Sequence, residues 1–245
     1  MKNKMKYLVG LILILGFTNC SDFLEQPTLG QENLDTYFQT EEECLKQLTG
    51  CYHSIFWDDW WYVSCFYIIS DMCTDDMWMG NTTQDQGEWI QMPFYENPKQ
   101  DEKLKNFWQY RYDGILRSNI VINKVATAPI KNENLRKRII AEAKFLRAFH
   151  YFELVKNFGG VPIILDMKMP SDMKGVTRKS IEDTYSQIEQ DLKDAIVDLP
   201  LRSEYSSSDL GRATKGAAMG YLGKAYLYQG KYKAAEDTLR SLINS

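Results

Sequence analysis

The sequence predicts an all-α fold of paired helices, interrupted by one long irregular, aromatic-rich loop region. Three observations carry this. Apolar residues recur at steps of three and four in several separate stretches, which is the period of one helix face. Helix-starting residues stand before those stretches, and Gly or Pro stands after them. Between Trp57 and Asn97, by contrast, the helical period is lost while aromatics stay dense.

In the first periodic stretch, Thr40 with Glu43 three residues on makes a capping box. Cys44, Leu45, Leu48, Cys51, Tyr52, Ile55 and Phe56 fall on one face behind it. The aperiodic stretch follows, and an irregular segment of that length in a compact body is uncommon and often functional. Periodicity returns at Leu104, Trp108, Ile115, Ile122 and Ala126, and Pro129 closes the segment. The next helix carries Ile139, Ala143, Leu146, Phe149 and Phe152. Gly159-Gly160 with Pro162 stops it as a C-cap glycine does. Val161 to Leu165 reads as a short extended piece. Ser180 with Asp183 opens another helix, whose face is Ile181, Tyr185, Ile188, Leu192, Ala195 and Leu199, ended by Pro200. The serine-rich stretch from Ser203 to Asp209 reads as an exposed loop.

Thr214 then caps a helix with Leu222, Gly223 and Tyr226, Gly230 turns the chain, and Tyr232, Ala235 and Leu239 mark a partner helix. These spacings fit a tetratricopeptide unit, in which small residues let two antiparallel helices approach closely. Met219 holds the usual tryptophan position. One unit cannot bury both its faces, so the helices from Leu104 to Leu199 are expected to stack against it. Ser245 follows directly on the second helix with no capping helix, and the array therefore reads as the N-terminal part of a longer one.

The chain begins with Lys2, Lys4 and Lys6 and an apolar run from Tyr7 to Phe17 that stops at Thr18-Asn19-Cys20. That is the layout of a secretory signal, and the run is about half the roughly twenty residues a spanning helix needs. Three segments follow from this: a lipoprotein signal peptide over 1–19, a lipid-anchored tether over 20–39 and a helical body over 40–245. Cleavage before Cys20 would free a thiol for acyl chains that hold the protein at a bilayer without spanning it. Phe17-Thr18-Asn19-Cys20 lacks the small residue usual before a lipidated cysteine, so these residues support export more strongly than lipidation. The net charge of −4, with both signs interspersed, offers no basic stripe and excludes nucleic acid as a partner. Cys44 and Cys51 lie on one helix roughly 10 Å apart, too far for a disulfide. They read as small buried apolar residues. Cys65 and Cys73 could pair, and no spacing is a zinc or redox signature.

Enzyme chemistry is poorly supplied. The only histidines, His53 and His150, lie inside helical patterns, which leaves few members for a Ser-His-Asp or Cys-His arrangement. No glycine-rich phosphate loop, H-E-x-x-H or calcium loop is present, and no cofactor is implied. Asp58-Asp59 and Asp75-Asp76 are paired carboxylates, but adjacent residues point apart rather than across a scissile bond. The segment from Asp71 to Asn81 places aromatic and hydroxyl-binding groups together. Sugar rings could stack there on exposed Trp, with Asp and Asn taking the hydroxyls. Core packing competes with this role for each of the six tryptophans. Asn119 sits on an apolar helix face, where a buried amide needs partners, and reads as glue between helices. Arg147 and Arg212 flank tight helix regions and are expected to bind carbonyls or acids.

Three segments together resemble the SusD/RagB family: Cys20-Ser21-Asp22-Phe23-Leu24-Glu25; Ala141-Glu142-Ala143-Lys144-Phe145-Leu146-Arg147-Ala148 running to Phe158-Gly159-Gly160-Val161-Pro162; and Gly211-Arg212-Ala213-Thr214-Lys215-Gly216-Ala217. The resemblance implies a lipid-anchored glycan-binding partner of a TonB-dependent outer-membrane transporter, exposed at the cell surface and without catalysis. It also implies tetratricopeptide-like pairs over Leu104 to Leu199 and Thr214 to Asn244, packed against the transporter. The ligand loop corresponds to Asp71 through Trp89, and Asp75, Trp78 and Asn81 have the residue types of a glycan contact. Family members are longer than this chain, and some relatives serve peptide uptake. A peptide-binding scaffold without sugar recognition is therefore the rival reading.

Overall fold

The computed structural model of the chain describes residues 33–34, 36–55, 69–71, 73–77, 102–168 and 170–244. Two units divide it at Tyr37/Phe38. In the first, the amides of Thr36 and Tyr37 donate to the Asn33 carbonyl at 3.0 and 2.9 Å, forming a turn. The second, 38–245, holds six α-helices among the described residues and no strand: α1 (Glu41–His53), α2 (Glu102–Thr127), α3 (Glu133–Phe158), α4 (Ile181–Asp198), α5 (Lys215–Tyr228) and α6 (Tyr232–Ile243). The all-α prediction holds.

The helix starts follow the capping chemistry. Thr40 and Glu43 close a reciprocal capping box on α1, and Ser180 and Asp183 do the same on α4. Asn132 accepts from the Leu135 amide and Thr214 from the Ala217 amide. Each cap satisfies a donor that the first helical turn would leave orphaned. At the other end of α3, Gly159 takes φ 71° and its N–H returns to the Val155 carbonyl, a conformation that glycine adopts without a Cβ penalty. The carbonyls at the end of α2 are gathered by one side chain: Arg136 donates to Val125, Ala128 and Ile130 at 2.7, 2.9 and 2.8 Å.

Successive helices pack on one another from α2 to α6, while α1 packs on both α2 and α3. Cross-contacts run in opposite directions along each pair, as antiparallel neighbours require. Asn119 meets Arg147 across α2 and α3, Lys144 meets Asp194 and Arg147 meets Asp191 across α3 and α4, and Gly216 and Gly223 face Leu242 and Leu239 across α5 and α6. A Cβ on Gly223 would lie 2.6 Å from the Leu239 side chain, so the small residue does set the approach of the last pair. α3 is the centre of the core. It is buried from Ala141 to Phe152 except at Lys144 and Phe149, on every side of the helix. α6 closes the described array with a polar outer face, on which Lys233 pairs with Asp237 and Arg240 with Glu236.

Two expectations are corrected. The face predicted for α2 is out of phase: Ile115 is buried, but Leu104, Trp108 and Ile122 are only half-buried and Ala126 is exposed. The buried line runs instead through Phe107, Arg111, Gly114, Ser118, Asn119, Val121 and Val125. Counting apolar residues misses it because four of these positions are polar or glycine. The Ser203–Asp209 stretch is not merely an exposed loop either. It forms two short 3-10 turns, Arg202–Glu204 and Ser207–Asp209, and Asp209 pairs with Arg138 and Arg212. Val161–Leu165 is neither helix nor strand. Cys44 and Cys51 are both buried and unbridged, and burial holds the Cys51 thiol up to about 12.

Candidate functional site: a polar framework and an aromatic groove

Two buried charge clusters hold the helices in register. In the first, the Arg147 guanidinium forms a two-pronged pair with Asp191, at 2.8 and 2.6 Å, and its remaining arm donates to the Asn119 side-chain oxygen at 2.8 Å. The Asn119 amide nitrogen donates onward to the carbonyls of Ile164 and Asp166. One chain of bonds thus joins α2, α3, α4 and the segment after α3. The reading of Asn119 as glue and of Arg147 as an acid partner holds. A bidentate pair whose third nitrogen is also hydrogen-bonded is an arrangement in which burying a charge is tolerable.

The second cluster centres on Glu142, whose side chain is fully buried on α3. Its carboxylate accepts from Tyr52 of α1 at 2.7 Å and from Arg212 at 3.3 Å, with Arg138 3.4 Å away. Tyr52 in turn accepts the Ala213 amide and Tyr205 donates to the Ala213 carbonyl, both at 2.7 Å. The turn that starts α5 is therefore pinned to α1 and α3 through one buried acid. Burial raises the Glu142 carboxyl above the usual range, opposed by the Tyr52 hydroxyl, Arg212 and Arg138. Asp209, bridging the two arginines from the other side, is held below its usual range: burial pushes it up, and bonding to Arg138 and Arg212 outweighs that.

His150 is wholly enclosed, with its Nε2 2.9 Å from the Ser54 hydroxyl and its Nδ1 3.5 Å from Arg111. The single hydrogen of Ser54 goes to the Cys51 carbonyl at 2.5 Å, so the imidazole donates from Nε2 and presents a bare Nδ1 to the guanidinium. Burial, then the Arg111 charge, keeps this ring neutral well below its ordinary titration range. A Cβ on Gly114 would lie 2.1 Å from the ring. The pair resembles a nucleophile and its base only in residue type: the hydroxyl is sealed from solvent and the third partner is a cation.

Of the residues expected to bind ligand, Asp75 is exposed in the turn 73–77, just after Thr74, whose hydroxyl and amide both return to the Asp71 carbonyl. Trp78, Asn81 and Cys20 lie outside the described residues, as does most of the Asp71–Trp89 loop. The structure adds a feature that sequence reasoning missed, a groove of about 330 Å³ between α2 and the segment after α3. Trp108, Tyr112, Ile115, Leu116, Pro162 and Ile164 line it. The rings of Trp108 and Tyr112 stand 5.0 Å apart, and the Tyr112 hydroxyl is fixed by the Pro162 carbonyl at 2.7 Å. The signal was present in the i, i+4 aromatics of α2, but Trp108 reads as core when no partner for it is known.

Antiparallel helix pairs with small residues at the tight crossings define a helical-repeat protein of the tetratricopeptide type. A model of SusD-like proteins, described as starch-binding and associating with the outer membrane, matches residues 22–227, and the chain belongs to this family. It is 31% identical over 227 residues to a SusD-like protein of Bacteroides ovatus, covering 91% of this chain and 39% of that protein. Among solved structures it is similar to a laminarin-binding SusD-like protein, with 32% identity, a TM-score of 0.71 and coverage of 83% of this chain and 43% of that one. It is also similar to surface glycan-binding protein A from Bacteroides uniformis, with 25% identity, a TM-score of 0.74 and coverage of 84% and 46%. The chain thus spans less than half the length of the relatives it matches.

Proposed function

We propose that this protein is a cell-surface glycan-binding lipoprotein that captures oligosaccharides and delivers them to a TonB-dependent outer-membrane transporter. The observation that carries the reading is the match to a laminarin-binding relative over most of this chain. The family match over residues 22–227 includes both polar frameworks, to which the motif residues Glu142, Arg147 and Arg212 contribute. Asp75, Trp78 and Asn81 are the proposed glycan contacts, with Trp78 stacking on a sugar face and the two polar side chains taking hydroxyls. Catalysis has no part in this reading. The enclosed Ser54–His150 pair has no path to a substrate, and glycan capture needs only stacking and hydrogen bonds.

Cys20 is the proposed lipid attachment site and 20–39 the tether, supported by the basic start and apolar run before it. Incorporation of radiolabelled palmitate in the native host should be lost in Cys20→Ala; incorporation that persists would remove Cys20 as the anchor. Delivery to a transporter predicts that the two proteins co-purify from outer membranes, and their failure to do so would leave capture without delivery. The glycan reading itself is tested by calorimetry with laminarin, soluble starch and a peptide panel. Heat of binding to a glycan supports it. Binding confined to peptides would replace sugar capture by the peptide-uptake scaffold.

A further inference from the structure

We propose that the groove between α2 and Pro162, Ile164 and Lys168 is a carbohydrate subsite, in which a sugar ring stacks on Trp108 and Tyr112 of this chain. The inference rests on the glycan-binding reading above and adds a second place, apart from the Asp71–Trp89 loop, where that binding occurs.

The platform is prefixed. Trp108 and Tyr112 are one helical turn apart on α2 with ring centroids 5.0 Å apart. Trp108 and Phe158 meet edge to face at 5.1 Å, the Arg178 guanidinium lies over one side of the Trp108 ring at 5.8 Å from its centroid, and the Tyr112 hydroxyl is anchored to the Pro162 carbonyl. Rings already fixed lose little freedom when a ligand lands on them. The floor of Ile115 and Leu116 is apolar, while Gln109 and Lys168 stand exposed at the rim. Lys168 makes no ion pair among the described residues. An apolar bed with a few polar groups at its edge, in a volume near the lower end of ligand pockets at about 300 Å³, is the usual form of a small-molecule site.

The walls also bear on the cargo class. An extended peptide binds a groove by pairing its backbone with a free edge, and the segment 161–166 borders this groove. Several of its backbone groups are already taken. The Pro162 carbonyl accepts from Tyr112, the Ile164 carbonyl from Asn119 and Tyr151, and the Asp166 carbonyl from Asn119. The Val161 and Ile164 amides donate to Thr184 and Tyr151. Those groups are closed to a peptide strand, and the ring faces and rim side chains suit the C–H face and peripheral hydroxyls of a hexose.

The test is calorimetry of the 245-residue chain with laminarin and soluble starch, comparing wild type, Trp108→Leu and the rim variant Gln109→Ala/Lys168→Ala. Trp108→Leu keeps apolar bulk against Phe158 and removes the flat ring. We expect it to lower glycan affinity about tenfold, which corresponds to about 1.4 kcal/mol, with the helical circular dichroism retained. The rim variant changes only exposed side chains, so it keeps the question answerable if Trp108→Leu fails to fold; about a threefold loss is expected there. Wild-type affinity in a folded Trp108→Leu, or in the rim variant if the first does not fold, overturns the subsite while leaving the glycan reading standing. Absence of glycan binding by the wild type itself overturns both.

Discussion

The Glu142 and Arg147 clusters and the Trp108–Tyr112 groove are both built on the α2–α3 pair, yet they spend their side chains differently. In the clusters nearly every polar atom is turned inward onto another element. Glu142 alone connects α1, α3 and the start of α5, and Arg147 connects α2, α3 and α4. In the groove the Trp108 and Tyr112 rings are braced by Phe158 and the Pro162 carbonyl and stay half-buried. The motif residues that carry the family resemblance therefore serve the framework. In the proposed function, selectivity for a ligand falls to positions that the framework does not use.

The sharpest way to break this contrast is Arg147→Ala, which strands the Asp191 carboxylate without its bidentate partner. Urea unfolding should show a loss of about 3–5 kcal/mol; a loss below 1 kcal/mol would mean that the cluster does not hold the array. Next comes Gly114→Ala, whose new methyl meets the His150 ring in a closed core. A cost at the upper end of about 1–3 kcal/mol is expected, and a crystal structure should show the imidazole displaced. Tyr52→Phe removes both the hydroxyl that Glu142 accepts and the acceptor for the Ala213 amide, and should cost about 1–2 kcal/mol. Exchange of the Ala213 amide hydrogen should quicken in the same variant.

Acid offers a smaller, graded test. The folded state holds His150 neutral well below its ordinary pKa of 6.5, so the unfolded chain binds a proton first as pH falls. Stability from this residue is present above about pH 6.5 and is lost below it, with a slope of up to about 1.4 kcal/mol per pH unit. Glu142 has the opposite sign. Its folded pKa is raised, so its contribution is fully present below the ordinary value of 4.5 and fades as pH rises past it. Comparing melts of wild type and His150→Gln between pH 7 and 5 separates the two, since only the wild type should lose stability over that window. The smallest structural effect is expected at Asp75→Ala. Stability should stay within about 0.5 kcal/mol, because the side chain is exposed, while glycan affinity falls a few-fold if Asp75 contacts ligand.

Much of the fold was legible because it depends on local chemistry. Thr40, Ser180 and Thr214 cap helices since their hydroxyls reach orphan amides within their own turn, and Gly159 ends α3 since it alone tolerates the required φ. The α4 face was read correctly except at Ile181, because one side of that helix meets solvent and the apolar period survives. α2 and α3 hid their packing for the opposite reason. α3 is covered on all sides, and the buried line of α2 passes through Arg111, Gly114, Ser118 and Asn119, so neither shows an apolar stripe. Asn119, Arg147 and Arg212 could be singled out as polar residues needing partners, but which acids would answer them could not.

The sequence by itself determined the helices, their caps, their antiparallel pairing and the motif residues of the SusD-like family, since each follows from contacts within a few residues or from a recurring spacing. Only the tertiary structure decided that Asp191 faces Arg147 across 44 positions, that Glu142 binds Tyr52 and Arg212, and that Trp108 opens onto a groove rather than into the core. Those outcomes depend on where separate helices come to rest, and a side chain's partners are chosen there by distance in space rather than by order along the chain.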